Sequence, residues 1–177
     1  MVIRTDMKFL ITGKKGLALA LKEKIGASAT CISQSDGYKI QDVLEWGPKF
    51  YHYDVLINCA HNEFDQVKVL EQFYYAWKDD SNKIIVNVGS ISADYNRSEF
   101  TKEYEYLAYK FQKQALQSVY AKLTRLANCD IKLINPGAID TAMVEHLTCQ
   151  KMDPSHVADR ILWMIENPDI KRLDLWQ

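Results

Sequence analysis

Two tyrosines stand four residues before lysines within residues 104–116, Tyr106 before Lys110 and Tyr109 before Lys113. The segment is rich in helix formers, and residues four apart on a helix share one face. Either pair would therefore set a phenol beside a fixed ammonium. A free phenol titrates near pH 10, and a neighbouring cation favours the phenolate and draws that value toward neutrality. Lowering it by about three pH units corresponds to about 4 kcal/mol, enough to make a tyrosine a proton donor at neutral pH. Any amphipathic helix with solvated lysines shows the same spacing, so the chemistry depends on what the rest of the chain brings to this face.

The elements that could position such a pair begin with residues 8–11, a short apolar run that ends in Thr12-Gly13-Lys14-Lys15-Gly16 and is followed by a helix pattern over 17–25, closed by Gly26. This is strand, glycine turn, helix. The backbone N–H groups of such a turn and the helix N-terminus suit a phosphate, and the same glycines serve a plain tight turn. Residues 27–32 read as a second strand ending at Ser33, about twenty residues after Gly13, where a dinucleotide fold reads the adenosine ribose. An acid at that place would indicate NAD. Here Ser33 occupies it, with Asp36 just beyond and Lys14 and Lys15 in the nearby turn, which favours the 2′-phosphate of NADP unless both lysines are simply solvated.

Further along, residues 37–53 suggest one short amphipathic helix through Ile40, Val43, Leu44 and Phe50, with little room for another strand. Residues 54–60 form a buried-strand pattern, apolar until Asn58, and polar atoms at that end lie where open α/β sheets bind ligands. A helix follows over 63–78, with Phe64, Val67, Leu70, Phe73, Tyr74 and Trp77 as a stripe for the core or a subunit interface. Residues 83–90 make the next strand and end at Ser90, which could also cap a turn. After the tyrosine helix comes a strand over 129–134, broken by Asn135-Pro136-Gly137. Asp153 and Pro154 start the last helix, and residues 171–176 form a final strand. Such alternation predicts an α/β fold, a Rossmann-like three-layer αβα sandwich with a mostly parallel sheet. A single NAD(P)-binding domain over residues 1–177 is expected, residues 1–6 being loosely held.

The formal charge of −1 removes any general attraction to nucleic acid or acidic membranes. Cys31, Cys59, Cys129 and Cys149 show no C-x-x-C pairing, and His52, His61, His146 and His156 do not fall at metal-ligand spacings. Reduced thiols, no metal and a cytoplasmic location are expected. No apolar run approaches the roughly 20 residues of a membrane span.

In this order the landmarks resemble the short-chain dehydrogenase/reductase family over nearly the whole chain, from Lys8 to Trp176. They are the Thr12-Gly13 turn, Asn58-Cys59-Ala60, the strand ending at Ser90, Tyr-x-x-x-Lys, and Pro136-Gly137 with Thr141 four residues on. The resemblance implies an oxidoreductase that moves a hydride between NAD or NADP and a small carbonyl or alcohol substrate. By the same resemblance Ser90 would hydrogen-bond the substrate oxygen and Tyr109 would donate its proton. Lys113 would bind the nicotinamide ribose and depress the tyrosine pKa. Gly13, Lys14, Lys15, Gly16, Leu17, Ser33, Asn58 and Ala60 would line the cofactor with Tyr109 and Lys113, while Pro136, Gly137 and Thr141 would hold its nicotinamide end. Asn62 is the nearest counterpart of a relay asparagine found in many members, and it could equally cap the following helix.

Packing decides between the two tyrosine–lysine registers. The family helix continues after its lysine with a small residue and then apolar ones, which Ala115, Leu116, Val119 and Leu123 provide after Lys113. Choosing Lys110 would put Gln112 and Lys113 at those packed positions, although it needs no shortening of the loop before Pro136. A burial error costs several kcal/mol, whereas loops shorten freely, so Tyr109 and Lys113 are preferred.

Departures from the family pattern set further expectations. The glycine turn is one residue short, with Ala18 for the third glycine, and His61 stands where the family often has glycine. The segment over 142–152, which carries a substrate lid in the family, is brief. A small or open pocket follows, walled by Tyr95, Phe100, Tyr104, Tyr106, Met143 and His146. Family members pair through the tyrosine helix and the one before it, so the stripe from Phe64 to Trp77 suggests a homodimer or homotetramer. An alternative is a non-catalytic nucleotide-binding sensor or interaction protein of the same fold. A sugar-nucleotide epimerase or dehydratase is disfavoured because the chain has no room for the C-terminal substrate domain such enzymes need.

Overall fold

A computed structural model of the chain describes residues 7–94 and 104–176, with side chains from residue 107 in the second stretch. Its strands are β1 (Phe9–Thr12), β2 (Ala29–Ile32), β3 (Val55–Asn58), β4 (Ile84–Val88), β5 (Asp130–Pro136) and β6 (Arg172–Leu175). Among the described residues they form one six-stranded sheet in the order β2-β1-β3-β4-β5-β6, with every pairing parallel. Strands covered on both faces must be apolar on both, and β1, β3 and β4 are buried throughout. Leu10, Leu56, Ile85 and Leu133 face α3 (Asp65–Trp77) and α4 (Tyr104–Leu123). Phe9, Ile11, Val55, Ile57, Val86 and Ile134 face α1 (Leu17–Ile25) and α5 (Pro154–Glu166). The three-layer, Rossmann-like architecture is the one the sequence predicts.

Local structure departs from expectation in three places. The second strand starts at Ala29, because Gly26, at φ 75°, opens a 3-10 turn over Gly26–Ser28. The single helix expected within 37–53 is a chain of short turns: 3-10 over Ile40–Asp42, α2 (Val43–Trp46), and 3-10 over Gly47–Phe50 with Pro48 near its start. Val43, Trp46 and Phe50 are buried there, but Leu44 is 73% exposed. The Trp46 indole N–H donates to the Lys39 carbonyl at 2.8 Å and fixes the bend. Third, β5 does not break at Asn135 but runs through Pro136, which pairs with Leu175. Its missing N–H costs nothing because β4 has already ended at Val88.

Of the two places expected for the aromatic stripe of α3, it takes the core and not an interface. Leu70, Phe73, Tyr74 and Trp77 are buried and Val67 packs against them, leaving Phe64 and Tyr75 outside. It therefore gives no argument for a subunit contact. The start of α5 is as expected, with Pro154 in its first turn and the Asp153 carboxylate accepting from the Ser155 N–H at 2.7 Å.

Gly89, just past β4, is required by close approach. A Cβ there would stand 2.0 Å from Asn135 Oδ1 and 3.1 Å from Leu133 Cδ1, and Asn135 is tied by its Nδ2–H to Asp174 Oδ1 at 2.7 Å. Overpacking of this kind costs about 1–3 kcal/mol. Gly89→Ala is expected to lose that much in urea-induced unfolding, and an unchanged midpoint would contradict the tight approach.

Candidate functional site at the strand ends

The chain leaves β1 for β2 on one flank and returns to β3 on the other, which opens the crevice where doubly wound sheets take ligands. Gly13 at φ 104° and Gly16 at φ 55° make the turn above β1, conformations that side chains resist. The Gly13 N–H donates to the Ile32 carbonyl at 2.7 Å. Thr12 Oγ1 accepts from the N–H groups of Cys59 at 2.9 Å and Ala60 at 3.0 Å, joining the ends of β1 and β3. A cavity of about 210 Å³ lies there, its lining including Thr12, Gly13, Ser33, Tyr38, Ala60 and His61. Leu17 is buried in the α1 core rather than facing it. The turn meets the loop after β5, for a Cβ on Gly16 would fall 2.7 Å from Thr141 Cγ2. Pro136 is buried at the end of β5, and Gly137 donates its N–H to the Leu175 carbonyl at 3.1 Å.

The sequence reading left Lys14 available for a phosphate; the structure pairs it with Asp36. That carboxylate also accepts from the Ser33 N–H at 3.0 Å and hydroxyl at 3.1 Å. The Lys14 hydrogen bond holds the Asp36 carboxyl below its usual range. Lys15 is exposed.

On the α3/α4 face, Lys113 reaches the carboxyl ends of β3 and β4. It is 3% exposed, and its ammonium donates to Gln66 Oε1 at 2.8 Å and to the Val88 carbonyl at 2.9 Å. The same nitrogen lies 5.5 Å from the Tyr109 ring centroid, so helix spacing and cation–π contact bring the pair together. Burial pushes the Lys113 pKa down to about 7, against a small opposing pull from Cys59. The Cys59 thiol is pushed up to about 12, again by burial. Ser90 sits two residues past Val88 and is nearly buried, its hydroxyl sharing a hydrogen bond with Ser92 Oγ at 2.8 Å and accepting from the Ser92 N–H at 3.2 Å. Gln114 and Gln117 of α4 donate to the Ala93 and Ser90 carbonyls at 2.7 and 3.5 Å, holding this turn against the helix.

His61 meets Tyr109 edge-on, with ring centroids 4.9 Å apart. Burial, and next the Lys113 charge, push its pKa down to about 4, with Gln112 pulling the other way. Its Nδ1 is buried without a hydrogen-bond partner among the described residues. The glycine expected from the resemblance would leave this space between the cavity and α4 open.

Asn58 does not reach the crevice. It is fully buried, with Nδ2 donating to the Gln66 carbonyl at 2.9 Å and to Asn87 Oδ1 at 3.1 Å. A direct cofactor contact is therefore replaced by support for the strand end. Asn62, the relay candidate, is exposed at the entrance to α3 and its amide donates to the Asp65 carboxylate at 2.5 Å; it does not cap the helix, whose N-cap is Phe64 with no side-chain cap. The residue that does meet Lys113 is Gln66, which the sequence reading passed over. A polar residue in line with Val69, Leu70 and Phe73 on the buried face of α3 was the available signal. Met143 and His146 are exposed beyond Thr141. Tyr95 and Phe100 lie outside the described residues, as do the side chains of Tyr104 and Tyr106.

No family model matches the sequence, and no curated protein matches it. Solved structures do resemble the fold. A short-chain dehydrogenase from Burkholderia cenocepacia in complex with NADP is 18% identical with a TM-score of 0.73, covering 97% of this chain and 88% of that one. A 3-alpha-hydroxysteroid dehydrogenase from Pseudomonas complexed with NADH is 17% identical with a TM-score of 0.65, covering 94% of each. A protein described as a ribose-5-phosphate isomerase from Brucella melitensis is 16% identical with a TM-score of 0.71, covering 96% and 90%. Likeness at this level speaks for the fold and leaves the reaction to the site. The fold of this chain is that of the short-chain dehydrogenases and reductases.

Proposed function

We propose that the chain is an oxidoreductase using NADP in preference to NAD, acting on a small carbonyl or alcohol in the cytoplasm. The observation that carries this reading is the Lys113 ammonium over the Tyr109 ring, donating to the Val88 carbonyl two residues before Ser90, at the carboxyl ends of a parallel sheet. Relatives in fold that hold NADP or NADH support it. The cofactor fit is supported by the glycine turn, whose Gly13 and Gly16 take positive φ at the N-terminus of α1, and by the adjoining cavity.

The nicotinamide ring supplies the hydride when bound. In reduction the Ser90 hydroxyl hydrogen-bonds the substrate oxygen and the Tyr109 hydroxyl gives it a proton. The Lys113 cation favours the phenolate that remains. Gly13, Gly16 and the start of α1 receive the pyrophosphate. Lys15 serves the adenosine 2′-phosphate, with Lys14 and Ser33 joining it only by exchanging their Asp36 contacts for the phosphate; Ala60 serves the ribose side, and Gly137 and Thr141 the nicotinamide end. The chain works as a homodimer or homotetramer in this reading, with Tyr75 and Phe111 exposed on α3 and α4.

Titration with NADPH and NADH, followed by nicotinamide fluorescence, tests the reading together with a screen of small aldehydes and ketones. Both cofactors are expected to bind, NADPH more tightly, and a carbonyl is expected to oxidise the bound cofactor. Absence of binding sinks the proposal. One observation favours a second reading, a nucleotide sensor without turnover: His61 belongs both to the cavity lining and to the Tyr109 contact. Binding without turnover across a broad screen would select it.

A further inference from the structure

Lys113 is held from another helix. Gln66, on α3, is buried and uses its whole side-chain amide. Its Nε2 donates to the Asn58 carbonyl at 2.7 Å and to the Val88 carbonyl at 2.9 Å, while its Oε1 accepts from Lys113 Nζ at 2.8 Å. Its own carbonyl accepts from Asn58 Nδ2. This pattern fixes the amide's orientation. A flipped Gln66 would set its oxygen against two carbonyl oxygens and its N–H groups against an ammonium, leaving buried polar groups unpaired.

We propose that Gln66 is the positioning residue of Lys113, joining the ends of β3 and β4 through its two N–H donors and presenting its oxygen to the ammonium so that Lys113 lies over the Tyr109 ring. The geometry gives Lys113 two acceptors, Gln66 Oε1 and the Val88 carbonyl, and leaves its third N–H without a partner among the described residues. The titratable groups that face it are Cys59 and His61 beyond β3 and Tyr109 on its own helix. Asp65, next to Gln66, is engaged with Lys68 and Asn62. A neutral amide oxygen is thus the main device on α3 that favours the charged form of Lys113 against burial. Its catalytic meaning rests on the oxidoreductase reading; its geometry does not.

The test follows the lysine itself. Lysine labelled with 13C at Cε is incorporated, the Lys113 signal is assigned by its loss in Lys113→Met, and its titration is followed by NMR. Gln66→Met removes the acceptor, so the ammonium is disfavoured and the midpoint is expected to fall by about one to two pH units. Gln66→Glu places a carboxylate there and is expected to raise it. An unchanged midpoint in both variants overturns the proposal. In the unaltered protein the Gln66 side-chain amide resonances are expected to move with the Lys113 titration, and their invariance through that range overturns it however the variants fold. Where a substrate is found, the pH profile of kcat is expected to move with the Lys113 midpoint, which a merely structural Gln66 would not cause. Lack of turnover in the unaltered protein would count against the oxidoreductase reading and leave the NMR result to decide Gln66.

Discussion

Tyr109→Phe is expected to lower kcat by about a thousandfold while NADPH still binds. The size follows from the loss of a general acid, which contributes about 10²–10⁴-fold. The specificity follows from geometry, because the ring can keep its edge contact with His61 and its place beneath Lys113 when only the hydroxyl is lost. Tyr106→Phe is expected to stay within a few-fold of the unaltered protein. Lys113 is the lysine that reaches Val88 and Gln66, and Tyr109 is its partner at helical spacing. Single-turnover oxidation of bound NADPH measures both variants. If Tyr106→Phe alone abolishes the reaction, the other register is the catalytic one.

Lys132→Met should give the largest loss of stability, about 3–5 kcal/mol, the range for removing one partner of a buried ion pair. Lys132 is fully buried on β5. It donates to the carbonyls of Asn167 at 3.1 Å and Ile170 at 2.9 Å and pairs with Asp130 at 2.9 Å. Burial lowers its pKa, while the hydrogen bond with Asp130 works against that. Three acceptors thus converge on one cation where the end of α5 turns into β6. Methionine fills much of the volume but satisfies none of them. Asp130 would retain Lys171 at 2.7 Å, so the cost falls mainly on the two carbonyls and on the pairing of β6 with β5. Urea unfolding is expected to show a lower midpoint at an unchanged slope. A loss under about 1 kcal/mol would mean that water replaces the ammonium there.

The sequence by itself determined the architecture and most element positions. Periodic apolar runs placed all the strands of the sheet to within a few residues, and strand–helix alternation demanded parallel pairing because each crossover must pack back on the sheet. The glycine turn and the Asp153–Pro154 helix start were legible because they answer to local rules, backbone angles in one case and orphan N–H groups in the other. The tyrosine–lysine spacing was legible for the same reason, but burial does not single out one lysine, since Lys110 and Lys113 are both buried.

What only the tertiary structure decided is which polar groups meet. Gln66 and Lys113 are 47 residues apart, and nothing local in either helix specifies the contact. It follows from the register of α3 and α4 over the ends of β3 and β4, where buried polar groups must find one another. Asn58 looked like a ligand contact because it ends a strand, but its side chain points to the α3 face and pairs with Asn87. Lys14 looked free because its sequence neighbours are uncharged or basic, yet the turn after β2 brings Asp36 to it. In each case the residue type and its place along the chain were visible from the start. The partner was set by three-dimensional register, since a charge or amide removed from water is stabilised only by the particular acceptor or donor that packing delivers.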